Sequence, residues 1–138
     1  MSVLDVGCGS GILAIASAKL GARTILGLEI DPVAVTAAES NVRANRVGHL
    51  VDVVQGTLPH EAAPPGGFDL AVANISSKVV SGLAHHLVRA VAPGGTLIAS
   101  GIIRDQSAAA VTRLERAGAA VEQSHESGDW VTLACSVD

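Results

Sequence analysis

The sequence predicts a three-layer α/β fold, a mostly parallel sheet between helices that ends in an antiparallel hairpin. Three observations point there. Short apolar runs alternate with helix-like stretches through most of the chain, the pattern of a parallel sheet covered by helices. A glycine-rich turn joins the first run directly to the first helix. The last two strand-like segments are separated only by a short turn, and strands so joined pair antiparallel.

In chain order, Val3 to Val6 reads as the first strand, Gly7 to Gly11 as a turn, and Ile12 to Leu20 as an Ala-rich helix closed by Gly21. Ile25 to Ile30 is the second strand. Asp31-Pro32 then opens a helix, with aspartate as N-cap and proline at the first helical position, where a missing N–H costs nothing. Val35, Ala38 and Val42 share one face of that helix, which runs to about Asn45. Val51 to Val54 is the third strand, followed by a Pro- and Gly-rich connection from Pro59 to Gly67. Phe68 to Ala73 is apolar enough for a strand buried on both faces. Val79 to Val91 reads as a helix stopped by Pro93-Gly94-Gly95, and Thr96 to Ser100 as the fifth strand. Asp105 to Ala117 is a helix with Gly118 at its C-cap position. Ala120 to Ser124 and Trp130 to Val137 form the hairpin around Ser127-Gly128-Asp129.

At 138 residues, residues 1–138 are expected to be one domain. With 49% apolar and 16% charged residues the chain can bury a core, and that core is aliphatic, since Phe68 and Trp130 are its only aromatics. No apolar run approaches the roughly 18 residues a membrane span needs, and Met1 leads straight into a strand without a signal-peptide pattern. The expectation is a cytosolic protein with no membrane partner. Cys8 and Cys135 are too few for a disulfide framework and are expected to be reduced. A net charge of −4 with nine scattered basic residues gives no sign of a nucleic-acid surface. The five histidines lack partners at metal-ligand spacing, and the adjacent His85 and His86 do not share a helix face, so no metal site is expected.

Asp5-Val6-Gly7-Cys8-Gly9-Ser10-Gly11 sits where a strand turns into a helix, the position at which open α/β sheets bind nucleotide-like ligands. Glycine lets the backbone approach a ligand, and the helix N-terminus behind it offers unpaired N–H groups. Glu29 ends the second strand about 20 residues further on, where a carboxylate can accept hydrogen bonds from ribose hydroxyls. Either feature alone could be structural, a tight turn or a solvated strand end; together they predict an adenosine-containing ligand. Dinucleotide sites use G-x-G-x-x-G, whereas this loop reads G-x-G-x-G behind an aspartate, which argues against a nicotinamide oxidoreductase.

The order Asp5, Gly7, Gly9, Gly11 resembles motif I of class I, Rossmann-like methyltransferases. Asp69-Leu70-Ala71-Val72-Ala73-Asn74-Ile75 looks like motif IV of that class, where amine methyltransferases place Asn or Asp beside the methyl group. Asn-Ile at this point, Val3 to Ala16, Asp31-Pro32, Pro93-Gly94-Gly95, Ser100-Gly101-Ile102 and Asp129-Trp130-Val131 together resemble the PrmA-type methyltransferases of ribosomal protein L11. The resemblance implies S-adenosylmethionine as cofactor and S-adenosylhomocysteine as product. It implies that Asp5 orients the loop and helps hold the methionine amino group, that Gly7, Gly9 and Gly11 line the amino-acid end, and that Glu29 takes the ribose. Ile30, Thr57, Leu58 and Asn74 complete the expected cofactor set. Thr57 stands where many relatives carry an aspartate toward the adenine amino group, and its hydroxyl can still accept a hydrogen bond. The family also carries a substrate-recruiting domain and a covering segment ahead of the first strand, which this sequence lacks; the expectations are a fragment, a misassigned start or a minimal relative with another substrate.

Methyl transfer from a sulfonium is an in-line displacement, so holding donor and acceptor in place can supply most of the catalysis. Asn74 is the expected catalytic residue, its carbonyl orienting an amine and stabilising the positive charge that develops. A ribosomal protein is the expected partner. The alternatives are a methyltransferase acting on a small molecule, RNA or another protein, or a cofactor-binding fragment inactive by itself. Oligomeric state has no signature in the sequence.

Overall fold

The computed structural model describes residues 1–138. Seven strands and four α-helices alternate, then end in consecutive strands: β1 (Ser2–Val6), α1 (Ile12–Lys19), β2 (Thr24–Glu29), α2 (Pro32–Ala44), β3 (Val51–Gln55), β4 (Phe68–Asn74), α3 (Ser77–Ala90), β5 (Val91–Ile103), α4 (Ser107–Arg116), β6 (Ala119–Ser127) and β7 (Trp130–Val137). The strands form one sheet in the order β3-β2-β1-β4-β5-β7-β6. Pairings among β1 to β5 are parallel, while β7 runs antiparallel to both β5 and β6. After β1 the chain winds outward through β2 and β3, then returns to place β4 on the other side of β1. The crevice between the C-terminal ends of β1 and β4 is the switch point at which such sheets bind ligands.

Alternation along the central strands distributes two cores. Leu4 and Val6 of β1, with Leu26 and Leu28 of β2, join the larger cluster with Val80 and Leu87 of α3 and Leu114 of α4. Val3 and Ile25 face the other way, into a smaller cluster with Ala14 and Ala18 of α1 and Val42 of α2. A helix pair therefore covers each face, the expected three layers. Small residues on α1 let it lie close to the sheet. The α2 start is as expected, Asp31 accepting a hydrogen bond from Val33 N at 2.9 Å with Pro32 in the first turn. Ala38 and Val42 are buried and Val35 half-buried.

Several boundaries differ from the sequence reading. Helix α3 starts at Ser77, not Val79, because Ser76 caps it by accepting from Val79 N. It ends at Ala90 and passes directly into β5, so Pro93-Gly94-Gly95 does not stop the helix. Those residues instead form an irregularity within β5, between the pairings Phe68–Val91 and Leu70–Thr96. Strand β5 is consequently longer than Thr96 to Ser100 at both ends. The last helix begins as a 3₁₀ turn, Arg104–Gln106, and becomes α-helical only at Ser107. Strand β6 extends to Ser127, leaving a two-residue turn, Gly128-Asp129, between it and Trp130. Gly128 has φ 60°, as the first position of a type II′ hairpin turn requires. No helix is long and apolar enough to cross a membrane.

Candidate active site

Asp5 is the innermost group of the site. It sits on the central strand with a side chain only 2% exposed, on the face covered by α1, and its Oδ2 has no hydrogen-bond partner. Burial pushes its carboxyl up to about 6; the Ala14 backbone N–H draws it down, and the nearby Glu29 carboxylate adds to the rise. A carboxylate in this position stores an unfavourable charge until a cation or donor meets it.

Above Asp5 the chain turns through Gly7, Gly9 and Gly11, all with positive φ. Gly7 N and Cys8 N both donate to Leu28 O, at 2.8 and 3.0 Å, folding the loop over the end of β2. A Cβ on Gly7 would run into the Ile75 side chain, so this position needs glycine for space as well as for φ. Glu29 fixes the loop from the side. Its Oε1 accepts from Gly9 N and its Oε2 from Asp31 N, both at 2.9 Å, and Asn41 Nδ2 donates to Ser10 O at 2.9 Å. Each Glu29 oxygen keeps a further lone pair for a ligand hydroxyl. Cys8 is buried, its thiol pushed up to about 12 by burial and then by the charges of Asp5 and Glu29. Its Sγ lies where a Cβ on Gly27 would approach to 3.0 Å, so it works as a packing group under the loop.

A cleft of about 350 Å³ opens at the C-terminal ends of β1, β2 and β4. Of the residues expected at a cofactor, Gly7, Glu29, Ile30, Thr57 and Asn74 line it, together with Ile75, Ser76 and Val79. Asp5, Gly9 and Gly11 do not line it; Asp5 lies buried beneath the loop. Ile30 lies one residue past the end of β2 and is 67% exposed at the rim. Leu58 also departs from the expected set. It is buried in the core and borders a separate cavity of about 450 Å³, with His60, His86 and Arg89, that touches neither the glycine loop nor Asn74.

Asn74 ends β4 and is exposed. With Ile75 and Ser76 it also lines a second cavity of about 350 Å³, whose other walls include Lys78, Gly101, Ile103, Gln106 and Trp130. The three residues after the buried part of β4 thus form a partition with a cavity on each side. Gly101 permits that closeness: a Cβ there would come within 2.8 Å of Ile75 O and 3.1 Å of Asn74 Oδ1. Lys78 is the only charged residue of the second cavity. Trp130, expected among the aromatics of the core and as the start of the last strand, is instead 56% exposed and lines this cavity, and Ile103, Gln106 and Lys78 carry no motif that marks them. The sequence carried a partial signal, a lone tryptophan in a chain with one other aromatic residue.

Strand order, the C-terminal hairpin and this cleft define a class I, Rossmann-like methyltransferase domain. Solved structures with the same fold include the precorrin-6y C5,15-methyltransferase from Geobacter metallireducens (TM-score 0.82, 19% identity, 100% of this chain and 80% of that one). The family model described as ribosomal protein L11 methyltransferase (PrmA) matches residues 1–137, and the chain belongs to that family. It is 47% identical over 133 residues to the ribosomal protein L11 methyltransferase of Pelotomaculum thermopropionicum, covering 96% of this chain and 42% of that protein. The protein of the same name from Listeria monocytogenes serotype 4b is 42% identical over 131 residues, covering 95% and 41%. The crystal structure of ribosomal protein L11 methylase from Lactobacillus delbrueckii subsp. bulgaricus superimposes with TM-score 0.85 at 34% identity, over 99% of this chain and 70% of that one. The chain spans less than half the length of these curated relatives.

Proposed function

We propose that this chain is the catalytic domain of a cytoplasmic S-adenosylmethionine-dependent N-methyltransferase acting on amino groups of ribosomal protein L11. One observation carries the reading: the Asn74-Ile75-Ser76 partition separates an adenosine-type cleft from a second cavity. In-line transfer needs the donor methyl and the acceptor atom in direct reach of each other, and two cavities that share these three residues at the end of β4 can meet over them. The residues present fit the cofactor. Asp5 supplies an orphaned buried carboxylate oxygen suited to a cationic amino group, Glu29 supplies lone pairs for ribose hydroxyls, and Thr57 supplies a hydroxyl for the adenine edge. S-adenosylmethionine brings an activated methyl group on a sulfonium centre.

The chain's own residues account for the rest. An amine attacks only when neutral, and the Lys78 charge in the second cavity disfavours a second ammonium there. Asn74 Oδ1 accepts an N–H of the amine, aims its lone pair and stabilises the charge that builds on nitrogen. Trp130 and Ile103 offer an apolar flank to an aliphatic side chain and exclude water beside it. The rest of a relative's length would recruit the protein substrate and raise its local concentration.

Calorimetry with S-adenosylhomocysteine and NAD tests the cofactor half of the proposal; tighter binding of NAD would end it. The acceptor half is tested by methyl transfer to purified L11, with the chain alone and fused behind the remaining part of the Pelotomaculum relative. The fusion should methylate L11 far faster than the chain alone. A folded, cofactor-binding fusion that leaves L11 unlabelled would assign the fold to a different acceptor.

A further inference from the structure

The second cavity owes one wall to the hairpin, and the turn at the hairpin tip is held by a single residue. Trp130 is the first residue of β7, paired with Ser127 on one side and Ile103 on the other. The turn before it, Gly128-Asp129, projects past the end of the sheet, where a tip is free to fray. Arg104, the residue after β5, grips that turn. Its guanidinium Nη2 donates to Gly128 O at 2.6 Å and lies 3.1 Å from Glu126 Oε2, while its backbone N–H donates to Asp129 O at 2.8 Å. These bonds reach both turn residues and the β6 strand end together. Both side-chain contacts run through the one Nη2, whose two N–H bonds point in directions fixed by the guanidinium plane. The other side of the same corner is fixed from within. Ile103 N donates to the Oγ of buried Ser77 at 2.9 Å, joining the end of β5 to the start of α3, three residues from Asn74.

We propose that Arg104 is a positioning residue for the methyl-acceptor cavity, holding Trp130 in place by clamping the turn that precedes it. The proposal rests on the reading of this cavity as the acceptor site. Arg104 lines neither cavity, so it acts through Trp130 and leaves the cofactor cleft alone. Its ion pair with Glu126 is half exposed on both sides. Such pairs add little to global stability, and the effect of the clamp is therefore local.

The chain has one tryptophan and no tyrosine, so its intrinsic emission reports Trp130 directly. In Arg104→Met, quenching of that emission by acrylamide should rise by about a half, within the ceiling set by a side chain already 56% exposed, as expected for local opening without unfolding. Arg104→Lys should fall between Met and wild type, because it keeps the charge but not the fixed donor directions of the guanidinium plane. Circular dichroism and S-adenosylhomocysteine affinity should match wild type. In the L11 assay with the fusion, acceptor KM should rise about three- to tenfold with kcat within about twofold, the pattern of lost ground-state positioning. Unchanged quenching in a folded Arg104→Met variant would overturn the clamp; Glu126→Gln, which leaves the bond to Gly128 O, should raise quenching less than Arg104→Met, and an equal rise would also count against it. The reading beneath it has its own control: Trp130→Ala with an unaltered acceptor KM would remove the acceptor cavity, whatever the quenching of the Arg104 variants.

Discussion

Replacing Asp5 by Asn should make the ligand-free protein more stable at neutral pH. In the folded chain the carboxyl is raised to about 6 from an ordinary value of 3.8, chiefly by burial. The folded state therefore holds this proton more tightly than the unfolded state does. For such a group stability is highest below about pH 4 and is lost as pH rises through about 6. A gap of about two pH units, at about 1.4 kcal/mol each, makes the ionised carboxylate cost about 3 kcal/mol at pH 7.5. Asparagine mimics the protonated acid and removes that cost. At about 4 °C per kcal/mol for a chain of this size, Tm of the variant should exceed wild type by roughly 10 °C at pH 7.5. The two should converge near pH 4.5. Thermal unfolding followed by circular dichroism across this range is the assay. Taking the difference between variant and wild type cancels Asp69, whose carboxyl is held low by the Ser2 backbone N–H and which acts with the opposite sign. An equal or lower Tm for Asp5→Asn at pH 7.5, with no change in pH slope, would refute the reasoning. If Asp5 holds the cofactor's amino group as proposed, the variant should also bind S-adenosylmethionine poorly; unchanged affinity would leave Asp5 a buried structural group.

Glu29→Ala removes a group that fixes the glycine loop through Gly9 and Asp31, so it should lower adenosine-ligand affinity by about 1.5–3 kcal/mol and lower Tm as well; calorimetry showing normal affinity in the folded variant would leave Glu29 only a structural role. Asn74→Ala should reduce methyl-transfer turnover by roughly ten- to a thousandfold with little effect on cofactor affinity, and normal single-turnover rates on L11 would exclude it from the chemistry. Cys8 and Cys135, with thiols pushed up to about 12 and about 11, should resist iodoacetamide at pH 8 until urea unfolds the chain; native-state labelling at the rate of a free thiol would contradict their buried setting.

Elements whose signal is local were legible from the residues. Asp31-Pro32 announces a helix start by itself, and Asp5, Gly7, Glu29 and Asn74 announce their strand ends because each needs only its own turn or strand to be placed. Features that depend on distant partners were not. Pro93-Gly94-Gly95 looks like a helix stop, yet the pairing of Val91 with Phe68 begins β5 before it and turns those residues into an irregularity. Ser76 caps α3 through Val79, which moved the helix start upstream of its first apolar residues. Leu58, adjacent to Thr57 in sequence, is turned into the core by packing that no short motif encodes. The second cavity was invisible for the same reason, being assembled from α3, the end of β5 and the hairpin, which meet only in the folded sheet.

The position of β7 carries a consequence for biogenesis. It lies between β5 and β6 although it follows both in the chain. During synthesis the edge of β5 and the whole of β6 must wait without a partner until residues 130–137 have left the ribosome. An unpaired edge of that kind is the surface chaperones guard and aggregates grow on. Leu133 and Cys135 arrive with the same strand and close the larger core, and Trp130 arrives as its first residue. The nascent domain is thus vulnerable and without its hairpin wall until one late insertion ends both conditions together.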